Sequence, residues 1–335
     1  MSDRIKKIIS QLENNTTLDI AKNFLKEHGV SHSCSGWASL LSTRISPAVE
    51  QGLLDENKLI SFLREVEEHG KQHIFVYKCS KTTAKELCTE SHLIAVLKQL
   101  NLESLRSKPN FLDIPNSPTI VDARIESGKL VIKIADFREI KIFQGQHLDV
   151  AGTKLTMTYQ YERSRSTSVA VLHDTGVLEI RVSSKSNWSK YADDVYTVWG
   201  LIDPFIGKDR FHEVSLVTAK NKLGDTTDKA TADFLITNRK IVDAYGASFE
   251  GSAGDPDKDL RDHKRMRALD SEMDDGTYCD SAKVCLKKNE NGLPSENMRI
   301  LLGGRSNEFA ITAKCTKQDY DYAFNRLWKL NRKIS

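Results

Sequence analysis

The sequence lacks any long apolar run, because the longest in its 335 residues is the five-residue stretch 93–97. A membrane-spanning helix needs about 20 such residues, so we expect no transmembrane segment and no membrane partner. The opening residues also lack the apolar stretch of a signal peptide. Cysteine is scarce too, with six residues and no C-x-x-C spacing, which argues against a disulfide scaffold. We therefore expect a reduced, cytoplasmic protein.

A strong charge of one sign is absent as well. The 49 lysines and arginines nearly balance 46 aspartates and glutamates, which leaves a formal net charge of +3. So small an excess does not by itself indicate a nucleic-acid partner. The hydrophobic fraction of 39% is high enough to build cores, which excludes a wholly disordered chain. The length predicts about two domains.

Helical spacing dominates residues 1–100. Ile5, Ile8, Ile9 and Leu12 recur at the i, i+3, i+4, i+7 spacing of one helical face. Further short amphipathic segments follow, together with one strand-like run at 72–78. We predict an all-helical N-terminal bundle over 1–100 that docks another protein. Three of the seven prolines lie at 101–118, which predicts a linker there.

Period-2 alternation begins after the linker. Residues 119–126 and 129–136 flank Ser127-Gly128, which is typical of a hairpin. Residues 153–163 and 167–172 predict two further strands, and 177–182 another. Thr316 and Asp319 predict the capped start of a closing helix. We therefore expect an α+β protein, with an antiparallel β-rich α+β domain over 119–335 following the helical bundle.

The layout of residues 1–180 resembles two known groups of proteins. Several short helices within a hundred residues resemble the death-fold class of interaction modules. A helical bundle followed by a sheet-rich domain is similar to the centromere protein N family, which binds nucleosomes. Both resemblances imply a protein that binds other macromolecules, and neither assigns a role to an individual residue.

Signatures of enzymes are incomplete in this sequence. Residues 200–209 have six residues between two glycines and an aspartate after the lysine, whereas a phosphate-binding loop needs four residues and Ser or Thr. The segment 246–251 is one residue too long for a nucleophile elbow. We therefore expect a non-enzymatic protein without a cofactor.

Two alternatives involve a metal. His69 with His73, and Cys88 with His92, have ligand-like spacing, and the sequence leaves open whether they converge. Separately, a metal-dependent nuclease could use Asp174 and Glu179 on a hairpin. Arg181 then stands where such a site needs lysine, and alternation suggests that Glu179 and Arg181 share the solvent face.

Two segments are candidates for nucleic-acid contact. The first, 159–168, contains Tyr161, Arg163 and Arg165 among hydroxyl residues, which can stack on bases and bind phosphates. Its alternative is a solvated turn with the tyrosines in the core. The second is the closing helix, where Arg326, Lys329 and Lys333 would form one cationic stripe with no acidic neighbour after Asp321.

The function predicted from these observations is a non-enzymatic, nucleic-acid-associated binding protein with a helical domain that docks a partner protein. A protein-only adaptor or assembly subunit, for instance in cellular defence, is the first alternative. The metal-dependent nuclease is the second. The oligomeric state and the choice between DNA and RNA stay open.

Overall fold

The computed structural model describes residues 2–106, 110, 112–185, 191–225, 229–255, 257–272 and 276–332. Within them the chain is a mixed α and β protein built on a large antiparallel sheet. None of the helices in these ranges is long and apolar enough to cross a membrane. The helices are α1 Asp3–Asn15, α2 Leu18–Glu27, α3 Trp37–Leu40, α4 Ser46–Glu50, α5 Glu56–Glu68, α6 Lys81–Leu87, α7 Glu90–Gln99, α8 Ala192–Ile206, α9 Val217–Gly224, α10 Lys264–Ser271 and α11 Lys317–Asn331.

Eleven strands of the described residues form one sheet, in the order β2-β3-β4-β5-β1-β11-β10-β9-β7-β8, with β6 paired to β1. The strands are β1 Gln72–Lys78, β2 Thr119–Glu126, β3 Lys129–Leu148, β4 Leu155–His173, β5 Val177–Ser183, β6 His212–Glu213, β7 Phe234–Val242, β8 Ser248–Ser252, β9 Tyr278–Leu286, β10 Met298–Leu302 and β11 Glu308–Ile311.

Local sequence explains several of these elements. Ser127 and Gly128 adopt φ of 50° and 76°, the left-handed values that a two-residue hairpin turn requires. The predicted β2–β3 hairpin is therefore confirmed. Thr316 and Asp319 form the predicted capping box at the start of α11. The two strands predicted at 153–163 and 167–172 are a single continuous strand, β4.

Both faces of the central sheet are covered. Along β1, Phe75 and Tyr77 pack in an apolar cluster with helices α7 and α8. Ile74 and Val76 point to the other face, where the cluster includes Tyr320 of α11. The N-terminal helices have a third cluster of their own, which contains the predicted apolar face of α1.

Strand β1 links the N-terminal segment to the sheet. It lies between β5 and β11, pairing with β5 from Gln72 to Lys78 and with β11 from Gln72 to Phe75. A domain boundary after residue 100 would therefore place β1 in a different domain from the strands with which it pairs. The division into 1–100, 101–118 and 119–335 stays a prediction.

Candidate nucleic-acid interface

A polar cleft of about 1090 Å³ opens between the N-terminal helices and the sheet. Helix α1 lines one side with Ser10, Gln11, Asn14 and Asn15, and the C-terminal end of α5 lies next to it. The opposite side is made by β3 and β4, and the ends of β1 and β5 complete the lining. The cleft is therefore a product of tertiary structure, assembled from segments far apart in the chain.

Cationic side chains outnumber carboxylates in this lining. The three carboxylates are Glu67, Glu139 and Glu162. The seven cationic side chains are Lys71, Arg138, Lys141, Arg163, Arg165, Lys185 and Lys314. Such an excess attracts anions, because positive charge concentrated in a concave surface focuses the local field.

Three of these cations already have carboxylate partners. The side chain of Arg165 is fully buried and pairs with Glu67. Arg163 pairs with Glu139 at 3.4 Å, with both side chains about half exposed. Lys185 pairs with Asp194. These pairs orient their cations and reduce the charge that they offer to a ligand.

The other four have no carboxylate partner among the described residues. Arg138 donates to the carbonyl oxygens of Ser183 and Ser184, and Lys314 donates to that of Thr16 at 3.1 Å. Burial lowers the pKa of Arg138. For Lys314, burial and then the neighbouring charge of Lys71 lower the pKa. An anion in the cleft would relieve the repulsion between Lys314 and Lys71.

Neutral hydrogen-bonding groups accompany the cations. Gln72 is only 2% exposed, and its Nε2 donates to the carbonyl oxygen of Glu67 at 3.2 Å. Its Oε1 has no partner within the described part of the chain. Hydroxyl groups on the β4 and β5 side include Ser164, Ser166 and Thr167. The lining therefore offers both charge and hydrogen bonds.

A buried ion network fixes the floor of the cleft. Lys133 is completely buried, and its Nζ lies 2.7 Å from Glu67 Oε2 and 3.7 Å from Glu68 Oε1. Glu68 also binds Arg124 at 2.7 Å. Burial alone would raise the pKa of Glu68, but the charges of Lys133 and Arg124 outweigh it and lower the pKa. Because Glu67 also binds Arg165, the network fixes that guanidinium in place.

The segment 159–168 lies within β4 and is not a turn. The structure brings Arg163 and Arg165 into the cleft lining. Tyr161 precedes them on the same strand and is 61% exposed, so it does not belong to a core. Neither the solvated turn nor buried tyrosines describes this segment.

The closing helix does not share this cleft. Arg326 binds Asp233 in two hydrogen bonds of 2.6 and 2.7 Å, so the helix does have an acidic partner beyond Asp321. Lys329 is exposed on the same helix. Lys333 lies outside the described residues. A nucleic-acid contact by Arg326, Lys329 and Lys333 stays a prediction.

The geometry around Glu179 corrects one expectation from the sequence. Glu179 and Arg181 are buried under α11, and not exposed to solvent. The carboxylate of Glu179 binds His173 Nε2 and the hydroxyl group of Tyr320, each at 2.5 Å, and also Arg181. Burial would raise the pKa of Glu179, but Arg181 and His173 lower it to about 2. Asp174 lies on the exposed turn after β4.

The four candidate zinc ligands bind separate partners. His69 Nδ1 bonds to the carbonyl oxygen of Glu65, and His73 Nδ1 bonds to Glu308. His92 Nε2 contacts the carbonyl oxygen of Phe205 at 2.7 Å, and Cys88 donates to that of Leu172. Over the ranges described, no group of three or more His, Cys, Asp or Glu side chains converges as a metal site.

Sequence reasoning missed the four cations of the cleft that lack carboxylate partners. Lys71 precedes β1, Arg138 and Lys141 lie on the outer half of β3, and Lys314 precedes α11. Their separation in sequence leaves no motif to detect. The sequence predicts that strand β3 ends at residue 136, but the strand extends to Leu148. A correct prediction of its length would have placed Arg138 and Lys141 on this strand.

Comparisons with known proteins add no relative: no model of a protein family matches this sequence, and no curated protein matches it.

Proposed function

We propose that this protein binds nucleic acid without chemically changing it, and that the cleft holds phosphate groups of the backbone. The observation that carries the proposal is the presence in the lining of Lys71, Arg138, Lys141 and Lys314, none of which forms a salt bridge with a carboxylate of the described chain. Lysine, arginine, hydroxyl and amide groups are the side chains that most often bind phosphate oxygens. Arg163 adds a half-exposed cation to this surface, and the buried side chain of Arg165, bound to Glu67, lies in its lining.

Enzymatic cleavage is a poorer fit to the same geometry. A metal-dependent nuclease needs carboxylates free to bind the metal at the substrate. Glu179 instead gives its oxygens to Arg181, His173 and Tyr320 beneath α11, away from the cleft lining. The protein-only adaptor remains the outcome to expect if no nucleic acid binds. Docking of a partner protein by residues 1–100 belongs to either proposal.

Binding measured against salt tests the proposal directly. We expect the full chain to bind a fluorescently labelled oligonucleotide, with affinity falling steeply as salt rises from about 50 to 200 mM. Lys71→Gln with Lys141→Gln removes two charges and keeps a polar, unbranched side chain at each position. The affinity should drop several-fold, and the slope of log affinity against log salt should decrease by about 0.7–0.9 per lost phosphate contact.

Two further variants provide matched controls. Lys98→Gln removes a charge from the exposed side of α7, outside the cleft lining, and should change nothing. Glu162→Gln removes a carboxylate from the lining and should strengthen binding, because it removes repulsion of phosphate. Absence of binding at low salt, or equal effects of the Lys71/Lys141 and Lys98 changes, would show that the proposal is wrong.

A further inference from the structure

The outer parts of β3 and β4 form an arm that extends from the sheet. Strand β2 pairs with β3 only up to Ala135, and β5 pairs with β4 only from Ser168 onward. Beyond these positions β3 and β4 pair with each other alone, out to Leu148 and Leu155. We call residues 137–163 the β-arm.

One face of the β-arm is apolar and exposed. Residues 155, 157, 159 and 161 alternate onto the same face of β4. Phe143 pairs directly with Tyr159 across the arm, and Leu148 pairs with Leu155. Tyr161 is 61% exposed, Phe143 52% and Met157 50%. Apolar side chains gathered on one exposed face mark a binding surface.

Cations lie among the aromatic rings of this face and continue into the cleft. Lys141 pairs with Tyr161 across the arm, and its Nζ lies 3.7 Å from the centroid of the Tyr159 ring. The guanidinium of Arg163 lies 4.5 Å from the ring centroid of Phe137. Both Lys141 and Arg163 also line the cleft. The aromatic face and the cationic cleft are therefore one continuous surface.

We propose that the ligand of this surface is a single-stranded nucleic acid, whose bases stack on Tyr161 and Phe143 of the β-arm while its phosphates lie in the cleft. This inference rests on the function proposed above. Exposed rings alternating with cations fit a ligand that alternates planar bases with anionic phosphates. A purely apolar partner would leave Lys141, which forms no salt bridge among the described residues, without a counter-charge.

The spacing of the rings favours unpaired bases over a duplex. Two residues along a strand advance about 6.7 Å, and this distance separates Tyr161 from the directly paired Phe143 and Tyr159. Bases in a duplex are stacked about 3.4 Å apart, so a ring can enter only by unstacking a base step, which costs free energy. A single strand can open its stack and present free base faces to such rings. The β-arm therefore distinguishes single strands from duplexes.

Fluorescence anisotropy with two labelled probes tests this inference on the full chain. One probe is a 20-nucleotide DNA single strand, and the other is a duplex of the same sequence. We expect the single strand to bind at least ten-fold more tightly. Tyr161→Leu should weaken single-strand binding about ten-fold without changing its salt dependence, because stacking is lost and no charge is removed. Tyr245→Leu, at a position 89% exposed outside the β-arm, is the control.

The outcomes separate this inference from the proposed function. Equal affinity for both probes, or equal effects of Tyr161→Leu and Tyr245→Leu, would overturn the role of the β-arm. The cleft would still hold phosphates if Lys71→Gln with Lys141→Gln weakened binding. Sedimentation velocity tests whether the aromatic face instead binds a second copy of the chain. If Tyr161→Leu abolished self-association and left oligonucleotide binding unchanged, the inference would also be overturned. If neither the cleft variant nor Tyr161→Leu weakened the binding of either probe, both proposals would be contradicted.

Discussion

His69 shows how one buried side chain makes stability depend on pH. Burial, followed by the charge of Arg181, lowers its pKa from 6.5 to about 3. The unfolded chain takes up a proton on this histidine near pH 6.5, whereas the folded chain does so only near pH 3. Unfolding therefore becomes more favourable as pH falls through this window, by up to about 1.4 kcal/mol per pH unit. Stability is retained in full above about pH 6.5.

Urea unfolding at pH 7.5, 6 and 5 measures this contribution. Glu179, with its pKa lowered to about 2, begins to lose its stabilising effect only below about pH 4.5, so it does not contribute in this range. We expect His69→Gln to flatten the dependence of unfolding free energy on pH. His147→Gln, on the exposed β-arm, should leave it unchanged. Identical pH profiles for the two variants would contradict the assignment to His69.

The sequence predicts the structural position of a residue well where that position depends on its neighbours in the chain. The apolar face of α1 and the Ser127-Gly128 turn follow from spacing and from the conformations that glycine allows. Glu179 could not be placed in the same way. Alternation shows which residues share a face of a strand, but not which face other elements cover, and here helices cover both.

At the scale of elements, the β-arm shows what local sequence can predict and what depends on tertiary structure. Alternation over 153–163 predicts a strand with Tyr159 and Tyr161 on one face, and the structure confirms that strand. An apolar face is normally buried, yet this face is exposed because β3 and β4 extend past their neighbours. Local periodicity does not predict how far a strand extends beyond its neighbours in the sheet.

Because the β-arm is exposed, we expect it to contribute little to the stability of the rest of the protein. Replacing residues 142–160 by Asn-Gly joins Lys141 to Tyr161 through a two-residue turn. We expect the thermal midpoint to stay within about 2 °C of the full chain, because the removed side chains leave no core cavity. Single-strand binding should weaken about as much as in Tyr161→Leu, or more.

Ile180→Ala is the positive control for this stability measurement. Ile180 is completely buried in the central sheet, and its truncation should cost about 2–5 kcal/mol. A fall of the thermal midpoint in the shortened arm that approaches that of Ile180→Ala would mean that the arm packs against the body.

At the scale of the whole molecule, the N-terminal segment and the sheet depend on each other. Strand β1 fills the position between β5 and β11. The C-terminal end of α5 supplies Glu67 and Glu68, which form ion pairs with cations of β2, β3 and β4. The sequence could identify 72–78 as a strand, but its position in the sheet arises from pairings across more than a hundred residues, which local patterns do not encode.

A truncated chain of residues 101–335 therefore should not fold alone. It would lack β1, leaving β5 and β11 as unpaired edges in the middle of the sheet, and buried Lys133 would lose Glu67. Uncompensated buried charge of this kind typically costs about 3–5 kcal/mol, a large part of a domain's stability. We expect no cooperative urea transition by circular dichroism. Adding a separately produced fragment 1–100 should restore the transition, because it returns both β1 and α5. A cooperative transition of 101–335 by itself would instead establish the independent domain that the sequence predicts.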